Sequence, residues 1–275
     1  MTQGYEDISY LDWFFFVLHD FYLSKTADLL ESFHTCLLRG RRLSSIPPTM
    51  TIVVLEAEAQ DLYRLFEICS LAFAQNEPHF NANWPAHSTA AGRLQGAERF
   101  KQAQISDQHT IFLKAVDESN QIVGMAKWNF YNGCIPDSAM VESDLAESGD
   151  VDDADDSDDE QKYLTALNAR YLSERHATIK RTRGRLASLD ILATDPAHHR
   201  RGVGSALMDW GIRKIDESGV DAVVESSVSG RKLYEQKGFE YVRTVDCTFL
   251  DRWIERPVQS FAWLVRPGRE SMLLG

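Results

Sequence analysis

One stretch of the chain, Leu189 to Leu207 (LDILATDPAHHRRGVGSAL), limits the possible folds more than any other. An apolar, strand-like run meets Asp195-Pro196 and stops there, because proline lacks a backbone N–H and biases the residue before it against helix. A turn rich in His and Arg follows, and Gly202-Val203-Gly204 opens a segment with helical apolar spacing. Strand, tight turn and helix in this order make an anion cradle. The first amides of a helix have no internal partner and stand at the positive end of its dipole. Glycine at 202 and 204 removes the Cβ atoms that would hold a phosphate away from those amides, and Arg200 and Arg201 add fixed positive charge. A pyrophosphate is the natural guest.

The rest of the chain supplies strands and helices to surround this unit. Thr51–Glu56 reads as an opening strand, and Glu58–Ala74 as a helix with Leu62, Leu65, Phe66 and Cys69 on one stripe. Residues 76–88, rich in Asn, Pro and His, read as loop, and Gly92–Ala103 as a short helix. Thr110–Val116 and Ile122–Phe130 read as antiparallel strands joined by a turn at Asp117-Glu118-Ser119-Asn120. After a helix at Gln161–Thr182 the pattern alternates: strand Leu186–Thr194, helix Gly202–Ser218 with Gly219 as its cap, strand Val220–Ser226, helix Ser229–Lys237, strand Phe239–Leu250, strand Ser260–Val265. Interleaving of this kind predicts an α/β (α+β) class with a mixed central sheet.

Charge is unevenly placed. Eleven Asp or Glu residues and no Lys or Arg lie between Glu142 and Glu160, so removing them from the net −12 leaves −1. The predicted domain is thus almost neutral, with an acidic insert at about 134–160 that is too poor in apolar residues to fold alone. An acidic run is the reverse of the basic face a nucleic-acid binder carries. Cys36, Cys69, Cys134 and Cys247 lie far apart with no CxxC pair, which argues against a zinc site or a secreted disulfide scaffold. No apolar run reaches membrane-spanning length, and the N-terminus opens with acidic residues, unlike a secretory signal. The expectation is a cytoplasmic protein, the nucleus being the other compartment, without nucleic-acid or membrane partners. Residues 1–49 end in a basic, turn-forming stretch from Arg39 to Pro48, and the functional domain is expected to span 50–275. The first 49 residues are then an appendage, poorly ordered or not part of the native chain.

Three kinds of phosphate site compete for the glycine loop. A Rossmann turn needs GxGxxG, but Leu207 stands at the last position, and GxxxxGK[ST] is absent. The third is the acetyl-CoA loop [Q/R]xxGx[G/A], which His199-Arg200-Arg201-Gly202-Val203-Gly204 matches at both glycines and departs from at His199. Tyr234-Glu235-Gln236-Lys237-Gly238-Phe239 matches the YExxGF motif about thirty residues downstream, and Gln121–Trp128 (QIVGMAKW) and Thr51–Ala74 match the middle strands and the first strand and helix. On these motifs the chain, over roughly 50–265, resembles the GNAT superfamily of N-acetyltransferases, and most closely its fungal-type members of unassigned substrate.

The resemblance implies a central twisted sheet that splays beside the loop, flanked by helices. It implies acetyl-CoA as acyl donor, no metal, and transfer of an acetyl group to a primary amine of a small molecule by direct attack. Leu192, Ala193 and Thr194 would pair with the pantetheine arm, and His199, Arg200, Arg201, Gly202, Val203, Gly204 and Ser205 would hold the pyrophosphate. Tyr234 would protonate the departing thiolate as general acid. Asp190 and Glu225, on the strands flanking the expected split, are the candidate bases, direct or through water. Two rivals stand beside this reading: a protein or histone N-acetyltransferase working with partners, and a non-catalytic CoA-binding protein of the same fold. Either a monomer or a homodimer is compatible with the sequence.

Overall fold

The computed structural model describes residues 51–73, 77–140, 156–249 and 252–268. All of them lie in the second of the two units into which the chain divides, Met50–Gly275. The predicted appendage and residues 141–155 of the acidic insert lie outside the described residues.

Strands β1 (Val53–Glu56), β2 (Thr110–Val116), β3 (Ile122–Phe130), β4 (Leu186–Thr194), β5 (Asp221–Ser226), β6 (Glu240–Asp246) and β7 (Ser260–Arg266) form one sheet in the order β1-β2-β3-β4-β5-β7-β6. Every neighbouring pair is antiparallel except β4–β5, which is parallel. That pair is joined by α6 (Val203–Ser218), because parallel strands need a crossover. The class is therefore the mixed α/β arrangement expected from the sequence.

Strand side chains alternate, so each strand feeds two layers. On one face Leu113, Ala126, Trp128, Ala187 and Leu189 pack against Val203, Leu207, Met208 and Ile215 of α6. On the opposite face Phe112, Met125 and Ala193 meet α1 (Leu62–Phe73), joined by Phe80 of α2 (Pro78–Asn83) and Phe100 of α3 (Ala90–Ser106). The same face, farther along the sheet, carries Leu186, Val223, Phe261 and Trp263 against Leu167 and Ile179 of α5 (Asp156–Thr182). Two further short helices, α4 (Asp137–Met140) and α7 (Arg231–Gln236), complete the described α-helices, beside 3-10 turns at Ala59–Asp61 and Pro196–His198. No helix among the described residues is long and apolar enough to cross a membrane.

Three elements differ from the sequence reading, one being α4, which lies inside the insert expected at about 134–160 and buries Ala139 in the core. The expected loop at 76–88 contains α2, which starts with a proline at its first positions, where a missing N–H costs nothing. Distant polar groups hold it in place: the His79 amide donates to Gln259 Oε1 at 2.8 Å, and His79 Nε2 lies 2.8 Å from Asn168 Oδ1 on α5. Helix α5 starts at Asp156, not Gln161, so the C-terminal part of the acidic run is helical. Acidic residues there suit the positive end of the dipole, and Asp159 pairs with Arg252 at 2.6 Å and Glu160 with Arg256 at 2.5 Å.

Helix α6 is seated by a close contact. A Cβ at Gly211 would fall 2.3 Å from the ring of the fully buried Trp128. Gly211→Ala gains about 1 kcal/mol of helix propensity but forces roughly 1–3 kcal/mol of overpacking. We expect the clash to win, because the indole has no free space to enter. The urea midpoint should fall with no change in m-value; an unchanged or raised midpoint would show that the ring repacks freely.

Candidate active site

Strands β4 and β5 run side by side only from Leu186↔Asp221 to Leu189↔Val224. Beyond that pair β4 follows β3 as far as Gly124↔Thr194, while β5 follows β7 as far as Ser226↔Ala262. The two central strands part in a V. At its vertex Asp190 is a bulge, since Trp128 faces Leu189 and Lys127 faces Ile191. A cleft of about 880 Å³ opens from the V, and Leu192, Ala193 and Thr194 line it along the edge of β4 that has no strand beside it. Backbone groups on such an edge are ready to pair with an extended guest.

The N-terminus of α6 stands at one end of the cleft. Gly202, its N-cap, holds φ 85° and ψ 0°, a left-handed conformation that glycine adopts without strain. A Cβ there would meet nothing within 4 Å, so the space in front of the helix end is open. No side chain caps the helix, and the first bond that closes it runs from the Ala206 amide to the Gly202 carbonyl at 2.9 Å. The amides of Val203, Gly204 and Ser205 are thereby left for an anion. Arg200 and Arg201 are exposed beside them. His199 is turned differently: its Nε2 lies 3.1 Å from the Thr194 carbonyl, tying the loop to the end of β4.

The floor of the V is an ion-pair network. Arg175, buried on α5, donates through Nε to Glu225 Oε1 at 3.0 Å, through Nη2 to Glu225 Oε2, and through Nη1 to Asp190 Oδ1. Lys127 Nζ holds the other Asp190 oxygen at 2.8 Å. Burial alone would raise the Asp190 pKa, but Arg175 and Lys127 outweigh it and hold the carboxyl well below the usual carboxylate range. Asp190 and Glu225 are brought together as the sequence reading places them, flanking the split, yet both are committed to Arg175. Asp190, bound to a buried cation and held so far down, is a poor proton acceptor at neutral pH.

Tyr234 of α7 is 7% exposed, with its ring 6.1 Å from that of Phe239, and lines the cleft. Burial pushes its phenol well above the ordinary tyrosine range, and the charges of Glu77 and Glu225 add to the rise. It therefore stays protonated across the physiological range and can donate. Glu77, which the sequence reading passed over, stands at the N-cap position of α2 on the facing wall, its side chain making no capping bond. Burial raises its pKa and a hydrogen bond with Ser227 opposes the rise. Glu77, Ser227 and Tyr234 thus converge at the cleft, from two segments about 150 residues apart in sequence.

Residues 168–241, which hold the V, the cradle and Tyr234, match the family model of the acetyltransferase (GNAT) domain. Over that segment the chain is similar to a GNAT acetyltransferase domain. Such a domain indicates acyl-CoA-dependent acetyltransferase activity. Among solved structures, a mosquito arylalkylamine N-acetyltransferase (like 5b) is similar, with a TM-score of 0.54 at 15% identity over 78% of this chain and 99% of that one. A Drosophila melanogaster polyamine N-acetyltransferase is similar with a TM-score of 0.50 at 16% identity, over 78% of this chain and 99% of that one. At these identities the likeness is one of fold. No curated protein matches the sequence.

The GNAT cradle fits a pyrophosphate on its own geometry: uncapped amides, open space before Gly202, and two exposed arginines. Gly202→Asp places a carboxylate in that space, and Asp tolerates the left-handed conformation better than most residues. Calorimetric titration of acetyl-CoA into the full chain should show affinity falling at least about tenfold, the worth of lost charge-assisted hydrogen bonds, with little change in Tm. Unchanged affinity would place the pyrophosphate elsewhere.

Proposed function

We propose that this protein transfers the acetyl group of acetyl-CoA to a primary amine of a small molecule by direct attack. The observation that carries this reading is the meeting of Glu77, Ser227 and Tyr234 at the cleft where β4 and β5 part. Acetyl-CoA supplies the activated acetyl thioester. Backbone groups of Leu192, Ala193 and Thr194 would pair with its pantetheine arm, and the amides at Val203, Gly204 and Ser205, with Arg200 and Arg201, would hold its pyrophosphate.

Amines of pKa about 10 arrive as ammonium ions and must lose a proton before attacking. Glu77 is the group suited to take it: it lines the cleft, and its raised pKa brings it closer to the working range than an exposed carboxylate. Tyr234, kept protonated by burial, donates to the departing sulfur. In this assignment Asp190 and Glu225 act through Arg175, holding the V open, and do not accept the proton themselves.

Glu77→Gln should lower kcat by roughly 10²–10⁴-fold while the Kd for acetyl-CoA stays the same. Glu77 acts as base only when ionised, so activity of the unaltered protein should rise with pH through the raised Glu77 pKa, and the variant should lose that acid limb. Tyr234→Phe should lower kcat with the acid limb retained. A Glu77→Gln protein with full kcat and the same pH profile would exclude Glu77 as the base.

A further inference from the structure

The wall of the cleft that faces the V contains a cation with no acidic partner among the described residues. Arg99 of α3 lays its guanidinium flat over Trp84, with Cζ 3.5 Å from the ring centroid. It donates Nη1 to the Asn83 carbonyl at 2.9 Å. Among the described residues no carboxylate pairs with it, whereas Arg64 and Arg175 each hold two. The adjacent Glu98 is turned away, toward Gln102 at 2.8 Å and Lys101 at 3.9 Å. Burial depresses the Arg99 pKa with nothing opposing it, the mark of an uncompensated cation.

Its seat is rigid. Asn83 and Asn168 exchange side-chain hydrogen bonds at 3.1 and 3.0 Å, and Asn83 Nδ2 also donates to the His79 carbonyl at 2.9 Å. These bonds pin the C-terminal end of α2, and hence the Asn83 carbonyl, to α5. A guanidinium stacked on a ring keeps its in-plane N–H edge free, and that edge matches a planar carboxylate or a phosphate. The pyrophosphate cradle lies at the start of α6 with its own amides and arginines, so the fork on this wall is left for the second substrate.

Glu77 opens α2 and Trp84 closes it, so the two polar positions stand at opposite ends of a six-residue helix, roughly 9 Å apart along its axis. We propose that the acceptor is an amino acid whose amine and carboxylate are separated by several carbons, the carboxylate being held by Arg99 and the amine presented to Glu77. This rests on the acetyl-transfer reading and deepens it, since an acceptor bearing only amines would leave Arg99 facing a like charge.

The test uses the full chain, acetyl-CoA, and thiol release with three acceptors of matched length: ω-aminohexanoate, hexylamine and hexanediamine. The amino acid should exceed both others in kcat/KM by at least about tenfold, the worth of a charge-assisted fork. Arg99→Gln should bring that ratio toward one by raising the KM of the amino acid, and Arg99→Lys, which keeps the charge without the fork, should restore part of it. The Kd of acetyl-CoA, measured beside that of its 3′-dephospho analogue, should not respond to either variant. A diamine or alkylamine used as well as the amino acid overturns the proposal. So does an Arg99→Gln defect that appears in acetyl-CoA affinity and vanishes with the dephospho analogue, since the fork then serves the donor phosphate. If acetyl-CoA binds and no amine releases thiol, the acetyl-transfer reading falls and this proposal falls with it.

Discussion

The buried guanidinium of Arg175 is the contact on which the cleft depends. A parallel pair such as β4–β5 would ordinarily continue its ladder to the strand ends. Here it stops at Leu189↔Val224, and the next residue on each strand is a carboxylate, Asp190 and Glu225, bound to the same arginine. Removing a guanidinium and two carboxylates from water costs several kcal/mol for each ion, which is recovered only with close pairing and added hydrogen bonds. Arg175 meets that condition with a bidentate bond to one strand and a single bond to the other, and Lys127 supplies the second positive charge. The network is neutral in sum, so the vertex of the V is held without presenting net charge to whatever enters it.

Neutrality at the vertex makes the remaining charges of the cleft legible as separate devices. The cradle at the start of α6 is positive, with open amides and two exposed arginines. Glu77 is a carboxylate across the cleft whose burial raises its pKa, and Tyr234 is a phenol whose burial raises its own. The same physical cause, loss of water around the charged form, pushes both groups toward their neutral state. The consequence differs because their starting values differ: the phenol is fixed as a donor, and the carboxyl is brought toward the range in which it can exchange a proton with an amine. His79 shows the same effect from the other side, its pKa lowered to about 4 by burial against Tyr171, so it adds no positive charge to the wall.

The parts legible in the sequence are those whose causes are local. Proline at 196, glycine at 202 and the apolar stripe of α6 define strand, turn and helix within twenty residues, and the cradle follows from that order alone. The split was expected at the right place, with Asp190 and Glu225 on its two sides. What the sequence did not disclose is set by partners far away in the chain. Residues 76–88 have the composition of a loop, and α2 exists there because His79 and Asn83 find Gln259 and Asn168. Arg175 sits in a polar helix, where an arginine ordinarily points to water, and only the fold reveals that it is buried between two strands. Glu77 carries no motif at all; its environment is made by Ser227 and Tyr234. The His199 position shows a milder version of the same limit, since its side chain is spent on the Thr194 carbonyl and the cradle relies on backbone amides.

Strand carboxylates beside a split look like natural bases, yet the two here are consumed in keeping the split open. A group cannot serve both ends: pairing with a buried guanidinium holds Asp190 ionised by lowering its affinity for a proton, which is the property a base needs. In the acetyl-transfer reading proposed above, the proton acceptor then comes from a wall that is not part of the sheet. In this chain that wall is built around α2, which carries Glu77 at its start and the seat of Arg99 at its end. In that reading the sheet and α6 would fix where a thioester donor lies, and six residues of a separate helix would set what is presented to it. Because α2 lies outside the sheet ladder, changes in it need not disturb the V. Acceptor choice can then change on a fold whose donor site stays the same.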